Sequence, residues 1–364
     1  MSPRDTEYMQ RALRLAERGL YTTDPNPRVG CVIVNNDQVV GEGWHQRAGE
    51  PHAEILALQQ AGEEARGASV YVTLEPCSHH GKTPPCADAL INAGVKEVIA
   101  AMQDPNPEVS GTGFERLQAH GIETRYGLLE QAARNVNPGF IKRMETGRPF
   151  IRVKLAMSLD GRTAMASGES QWITGKAARA DVQKLRARSA VVLSGVDTVL
   201  MDDPSLNVRA TAAELGIAGE VRQPKRVILD SQLRIKPDAK LLALEGDVVV
   251  MTLKQDDGSL PCDVITVAEN DGHVDLNEVM AWLVEQQVNE VHVEAGATLT
   301  GALLAARLVD EIVVYVAPHI MGHDARGLFN MPELVTMDDR VALEIKDIRQ
   351  IGKDIRITAL PLYN

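Results

Sequence analysis

The chain has 364 residues, a formal net charge of −12 and an apolar fraction of 44%. That length suits two domains with substantial cores, and the acidic balance argues against a nucleic-acid scaffold, which needs a basic face. No apolar run reaches the length of a membrane span. The start, Met1-Ser2-Pro3-Arg4-Asp5-Thr6-Glu7, has no signal-peptide apolar region, so the chain is expected in the cytoplasm. Four dispersed cysteines are too few for a disulfide framework, and Cys31 and Cys262 read as core filler.

In chain order, residues 6–18 have the pattern of an amphipathic helix. Residues 29–35 and 38–44 read as a hairpin turning at Asn36-Asp37. A helix over 53–58 is entered at Pro51-His52. The β-branched and aromatic run 69–74 is a strand leading into Glu75-Pro76-Cys77. Pro84-Pro85 opens another helix at Cys86. Strand 97–102, helix 113–120 and strand 121–125 complete a mixed sheet layered with helices. Gly147-Arg148-Pro149 breaks this pattern, which sets expected domains of 1–147 and 148–364. In the second half, 150–156 and 290–293 read as strands and 299–307 as a helix. Strand 311–316 either pairs across a dimer or lies inside one sheet.

The chemistry concentrates between residues 51 and 86. His52 and Glu54 are followed by Cys77, and after eight intervening residues by Cys86. Imidazole and thiolate are zinc's preferred ligands, and three protein ligands leave a fourth tetrahedral position for water. Two thiolates and a neutral imidazole cancel the charge of the ion, so such a site acidifies water less than a three-histidine site does. A base beside it is therefore needed, and Glu54 is the expected acid/base. Zinc nucleobase deaminases use this layout. His79 or His80 could instead supply a fourth ligand and close the site.

The loop between the cysteines, Ser78-His79-His80-Gly81-Lys82-Thr83-Pro84-Pro85, is longer than in cytidine deaminases. The stretch from Glu75 to Cys86 resembles the bifunctional deaminase-reductases of riboflavin biosynthesis. So do Asp24-Pro25-Asn26-Pro27-Arg28-Val29-Gly30-Cys31, Gly41-Glu42-Gly43-Trp44-His45 and Gln103-Asp104-Pro105-Asn106-Pro107. The second half is similar through 154–162, 168–174, 197–204 and 227–231. This resemblance implies an α/β chain: an N-terminal three-layer domain like cytidine deaminase, then a C-terminal domain like dihydrofolate reductase. The implied cofactors are one Zn2+ per chain, on His52, Cys77 and Cys86, and NADPH. Asn26, His45, His79 and Lys82 would contact the deaminase substrate. Ala156, Trp172, Thr198, Asp202, Ser231 and Gly296-Ala297-Thr298-Leu299 would line the NADPH site. Ser170, Arg186, Leu206, Arg209 and Glu294 would line the reductase substrate site. Lys154, read on its own from a strand, either orients cofactor or substrate there or only pairs with a carboxylate.

The residues themselves support part of this. Small residues in Glu294-Ala295-Gly296-Ala297-Thr298, at a strand-to-helix turn, let a pyrophosphate approach a helix N-terminus. Arginine suits a phosphorylated substrate because guanidinium matches phosphate oxygens. Arg186, however, sits in the polar stretch 179–188, where arginines often face solvent. The implied partner is a small phosphorylated pyrimidine, with neither nucleic acid nor membrane, on a homo-oligomer. Two other readings are a polynucleotide or nucleoside deaminase with an unrelated appendage, and a zinc-stabilised binding module. His319 and His323 lack the accompanying ligand spacing of a second metal site.

Overall fold

The computed structural model describes residues 2–78, 85–107, 109–332 and 334–363. It divides into two compact units, Met1–Arg148 and Pro149–Asn364. Among the described residues, no helix is long and apolar enough to cross a membrane.

The first unit runs α1 (Pro3–Glu17), β1 (Gly30–Asn35), β2 (Gln38–Trp44), α2 (Ala53–Ala61), β3 (Ser69–Val72), α3 (Cys86–Ala93), β4 (Glu97–Ala100), α4 (Thr112–Ala119), β5 (Glu123–Arg125), α5 (Glu130–Val136) and α6 (Pro138–Thr146). The sheet order is β2-β1-β3-β4-β5. Alternation along the central strands splits the core in two. Cys31, Ile33, Val70 and Val72 face α2, α3 and α4, whereas Val32, Val34, Tyr71 and Ile99 face α1 and α6. Three layers follow. Helix α1 begins with a reciprocal capping box between Ser2 and Asp5.

Helix α2 lies directly on the first hairpin. A Cβ at Gly43 would stand 2.3 Å from the Ala53 carbonyl oxygen, and one at Gly41 2.2 Å from that of Ala57. The contact is backbone on backbone, which fixes the start of α2 and hence His52. Gly43→Ala is expected to destabilise this unit by about 1–3 kcal/mol through overpacking. Urea denaturation followed by fluorescence checks this, and an unchanged midpoint would contradict it.

The second unit runs β6 (Phe150–Ser158), β7 (Arg162–Ala164), α7 (Lys176–Arg188), β8 (Val191–Gly195), α8 (Val196–Asp202), α9 (Ala212–Leu215), β9 (Lys225–Leu229), β10 (Val248–Thr252), β11 (Asp263–Thr266), β12 (Glu269–Asn270), β13 (His273–Val274), α10 (Leu276–Glu285), β14 (Glu290–Val293), α11 (Ala297–Ala305), β15 (Glu311–Ala317), β16 (Arg326–Gly327), β17 (Ala342–Ile351) and β18 (Asp354–Leu362). Nine strands form one sheet in the order β11-β10-β9-β8-β14-β6-β15-β18-β17. Its strands from β11 to β15 pair in parallel. Apolar runs on these strands pack against α10 and α11 on one side. On the other, Val313 and Tyr315 pack against α7.

Strand β15 sits between β6 and β18, so of the two placements open to this apolar run, the interior of one sheet is the one adopted. The sheet ends in β11 on one side and in β17 on the other, and most residues of β17 are exposed. Cys31 is fully buried, whereas Cys262 is partly buried and packs at the margin of the core around Val192, Ile228 and Val250.

Candidate active sites

Three elements converge at the first site. His52 is the extended residue that caps α2, Cys86 is the first residue of α3, and Cys77 follows the exit of β3. Helix N-termini favour thiolate through their dipoles. The Nδ1 of His52 lies 3.6 Å from Cys77 Sγ and 3.3 Å from Cys86 Sγ. All three donor atoms fall within 4.8 Å of one another. A tetrahedral zinc, with bonds of about 2.1 Å to nitrogen and about 2.3 Å to sulfur, requires an N···S separation of about 3.6 Å. The triad therefore fits zinc in both spacing and donor chemistry.

Cys77 also accepts a hydrogen bond of 3.3 Å from the Cys86 N–H. Its thiol is pushed down, first by the Cys86 side chain and then, against burial, by His52. Cys86 moves up, because it donates to Cys77 and is buried. Glu54 is 3% exposed. Burial and the negative charge of Cys77 push its carboxyl up to about 7, against the pull of His52 and a hydrogen bond from Cys86.

Asn26 and His45 meet each other here. His45 Nδ1 stands 3.2 Å from the Pro51 carbonyl, so Nδ1 carries the proton. Nε2 then accepts from Asn26 Nδ2 at 3.0 Å. Burial lowers the pKa of His45, which favours the neutral ring. That ring lies edge-on to His52, with centroids 5.3 Å apart. His79 and Lys82 lie outside the described residues, as does His80. Among the described residues, His52, Cys77 and Cys86 are the one His/Cys/Asp/Glu group spaced for a metal, and neither His319 nor His323 joins such a group.

In the second unit, the fifteen residues expected to line the NADPH and substrate sites border one cavity of about 1720 Å³. Gly296 caps α11 in extended backbone, and a Cβ there would meet open space. The first N–H groups of a helix have no partner within it. This end, lined by Ala297, Thr298 and Leu299, fits a pyrophosphate-bearing cofactor. Ser170 donates to Asp202 at 3.1 Å, and Arg179 stacks over Trp172 at 4.4 Å. Ser231 Oγ accepts from Val274 N–H, tying β13 to the cavity wall.

The other part of the cavity is charged. Arg186 grips Glu294 through both carboxylate oxygens, with Nη2 to Oε2 at 2.9 Å, and donates from Nη1 to the Asn207 carbonyl. Arg186 is thus buried and not solvent-facing. His292, fully buried, places Nε2 3.1 Å from Glu294 Oε1. Burial raises the Glu294 carboxyl, but Arg186 and His292 outweigh it and hold the group well below the usual carboxylate range. Desolvation lowers the ammonium pKa of Lys154, against the pull of Glu294. Arg209 shifts down for the same first reason, helped by Arg186.

Several lining residues escaped the sequence reading, among them Gln171, Arg179, Arg234 and Arg326. So did His292, which is fully buried against Glu294 and does not line the cavity, although a signal existed. Glu290 and His292 on β14, and Glu294 just past its end, alternate in sequence, and α7 supplies Arg186 and Arg188, which pair with Glu294 and Glu290.

Comparison with known proteins agrees with this two-part layout. Residues 149–357 match the RibD C-terminal domain, and residues 2–102 match the cytidine and deoxycytidylate deaminase zinc-binding region. The chain is 53% identical to the riboflavin biosynthesis protein RibD of Escherichia coli, over 96% of this chain and 98% of that one. It is 52% identical to RibD of Haemophilus influenzae, over 99% and 98%. Among solved structures, Acinetobacter baumannii RibD superposes with a TM-score of 0.91 at 47% identity, covering 99% of both chains. A Thermotoga maritima protein described as a diaminohydroxyphosphoribosylaminopyrimidine deaminase and 5-amino-6-(5-phosphoribosylamino)uracil reductase gives 0.87 at 32%, again over 99% of both. A zinc-binding deaminase unit followed by a reductase unit, together with likeness along almost the whole chain, places this protein in the RibD family of bifunctional riboflavin biosynthesis enzymes.

Proposed function

We propose that the first unit removes ammonia from a 2,5-diamino-6-ribosylamino-4(3H)-pyrimidinone 5′-phosphate. The second then reduces the ribosyl chain of the resulting aminouracil to ribityl with NADPH. The observation carrying this reading is the His52, Cys77 and Cys86 triad with buried Glu54 beside it.

Zinc, when bound by these three ligands, supplies the Lewis acidity that makes water a nucleophile at neutral pH. The chain does the rest. Glu54 takes the proton from the attacking water and delivers it to the departing ammonia. His45, held by Asn26 and the Pro51 carbonyl, packs edge-on against His52 and fixes where Asn26 stands beside the triad. His79 and Lys82 complete the substrate contacts in this reading.

NADPH, when bound along the α11 end of the second cavity, supplies the hydride. Ala156, Trp172, Thr198, Asp202, Ser231 and Gly296 to Leu299 form its cradle. Lys154, Ser170, Arg186, Leu206, Arg209 and Glu294 hold the opened sugar and its phosphate. Side chains fixed in this way contribute by orienting the two reactants.

The test supplies the pyrimidinone phosphate and records ammonia release and NADPH oxidation. A nucleoside or an oligonucleotide turned over in its place would displace this reading. A nucleic-acid substrate would also betray itself by binding that weakens steeply with salt.

The reading extends to a cytoplasmic homo-oligomer. Edge strand β17 exposes Leu343, Ile345 and Ile348 at 49%, 58% and 60%. Pairing with a second copy of the chain would cover these three side chains, which alternate with charged residues along the strand. Ile345→Lys is expected to shift light-scattering mass towards the monomer, and a monomeric wild type would contradict the assignment.

A further inference from the structure

Helix α4 carries none of the zinc ligands, yet its first turn is bound to the segments that do. Glu75, two residues before Cys77, is 3% exposed. Its Oε2 accepts from the N–H groups of Asp104 at 3.1 Å and Gly111 at 3.0 Å. Oε1 accepts from Gly113 at 2.9 Å and Phe114 at 3.4 Å. Gly111 is the N-cap of α4, so this carboxylate caps the helix from outside it. The fit is tight, since a Cβ on Gly113 would stand 2.1 Å from the Pro76 carbonyl oxygen.

The next residues along α4 continue the same job. Thr112 Oγ1 pairs with the hydroxyl of Ser78, the residue after Cys77. Arg116 reaches the Ser78 carbonyl at 3.4 Å and donates to Asp88 Oδ2 at 2.8 Å. Asp88 belongs to α3, two residues after Cys86. One helical turn therefore holds both cysteine-bearing segments. Glu75 and Ser78 bracket Cys77, and Asp88 adjoins Cys86.

We propose that Glu75 and Arg116 are positioning residues that set the Cys77–Cys86 spacing through α4, and so fix how tightly the deaminase unit holds zinc. This rests on the assignment of His52, Cys77 and Cys86 as ligands. A carboxylate accepting four N–H bonds is a rigid joint, and Gln in its place turns an N–H toward N–H donors. Groups that orient metal ligands without touching the metal typically contribute about 10–100-fold to metal affinity.

The test compares wild type, Glu75→Gln and Arg116→Met as full chains, by competition of a zinc-selective chelator below the unfolding temperature. Cobalt-substituted forms are read by their thiolate absorption, which reports ligand geometry and is blind to a loss of stability alone. Glu75→Gln is expected to weaken metal retention by about 10–100-fold and to shift the cobalt bands. Arg116→Met should lose about tenfold, the lower end of that range. Both variants holding metal as tightly as wild type, with unchanged bands, would overturn the proposal. Should Glu75→Gln fail to fold, Arg116→Met, whose side chain is partly exposed, decides it by the same criteria. A wild type that takes up no zinc would overturn the ligand assignment itself.

Discussion

Glu54→Gln is expected to lower ammonia release from the pyrimidinone phosphate by about 10²–10⁴-fold, the usual contribution of a positioned acid/base. Zinc content should stay at that of the wild type, because His52, Cys77 and Cys86 are untouched. NADPH oxidation with the aminouracil supplied directly should also persist, because the second unit contains its own cavity and its own core. The buried carboxyl sits within reach of both cysteines and His52. Glutamine keeps its shape but cannot carry a proton from water to ammonia. Ammonia release at the wild-type rate would remove Glu54 from the mechanism. Loss of zinc from the variant would show instead that the carboxylate supports the site.

Arg186→Met should have the largest effect on the reductase half. It leaves Glu294 buried without its bidentate partner. Breaking such a pair costs about 3–5 kcal/mol, because the remaining charge is desolvated and unpaired. The second unit should melt earlier and lose NADPH oxidation, while ammonia release continues. Adding Glu294→Gln removes the stranded charge. The double variant should regain much of the lost stability without regaining activity. Recovery of both would mean that the pair only supports the fold. Recovery of neither would mean that the damage lies elsewhere in the cavity.

The two halves were unequally legible. The zinc triad could be read because its ligands are rare residue types, fixed by local signals: a proline before each helix start, and a strand feeding Glu75-Pro76-Cys77. The layered first unit followed from strand alternation and helix periodicity. Element ends were less clear: β3 stops at Val72 and not at 74, and α11 starts at Ala297 and not at 299. The second site is assembled from residues far apart in sequence. Arg186 and Glu294 are separated by 108 positions. A polar helix usually turns its arginines to water, and nothing local says that α7 covers a charged strand face. The resemblance supplied those residues, and the structure shows what binds them together. Glu75 was legible only as part of a motif. Its hydrogen bonds to a segment more than thirty positions later required the fold.

The most direct measurement is the stoichiometry of the coupled reaction in wild-type protein, with NADPH and the pyrimidinone phosphate in limiting amount. Two catalytic units on one chain, acting in sequence, predict one ammonia released for each NADPH oxidised and a ribitylamino product. Ammonia without NADPH oxidation, or NADPH oxidation without ammonia, would contradict the pairing of the two sites.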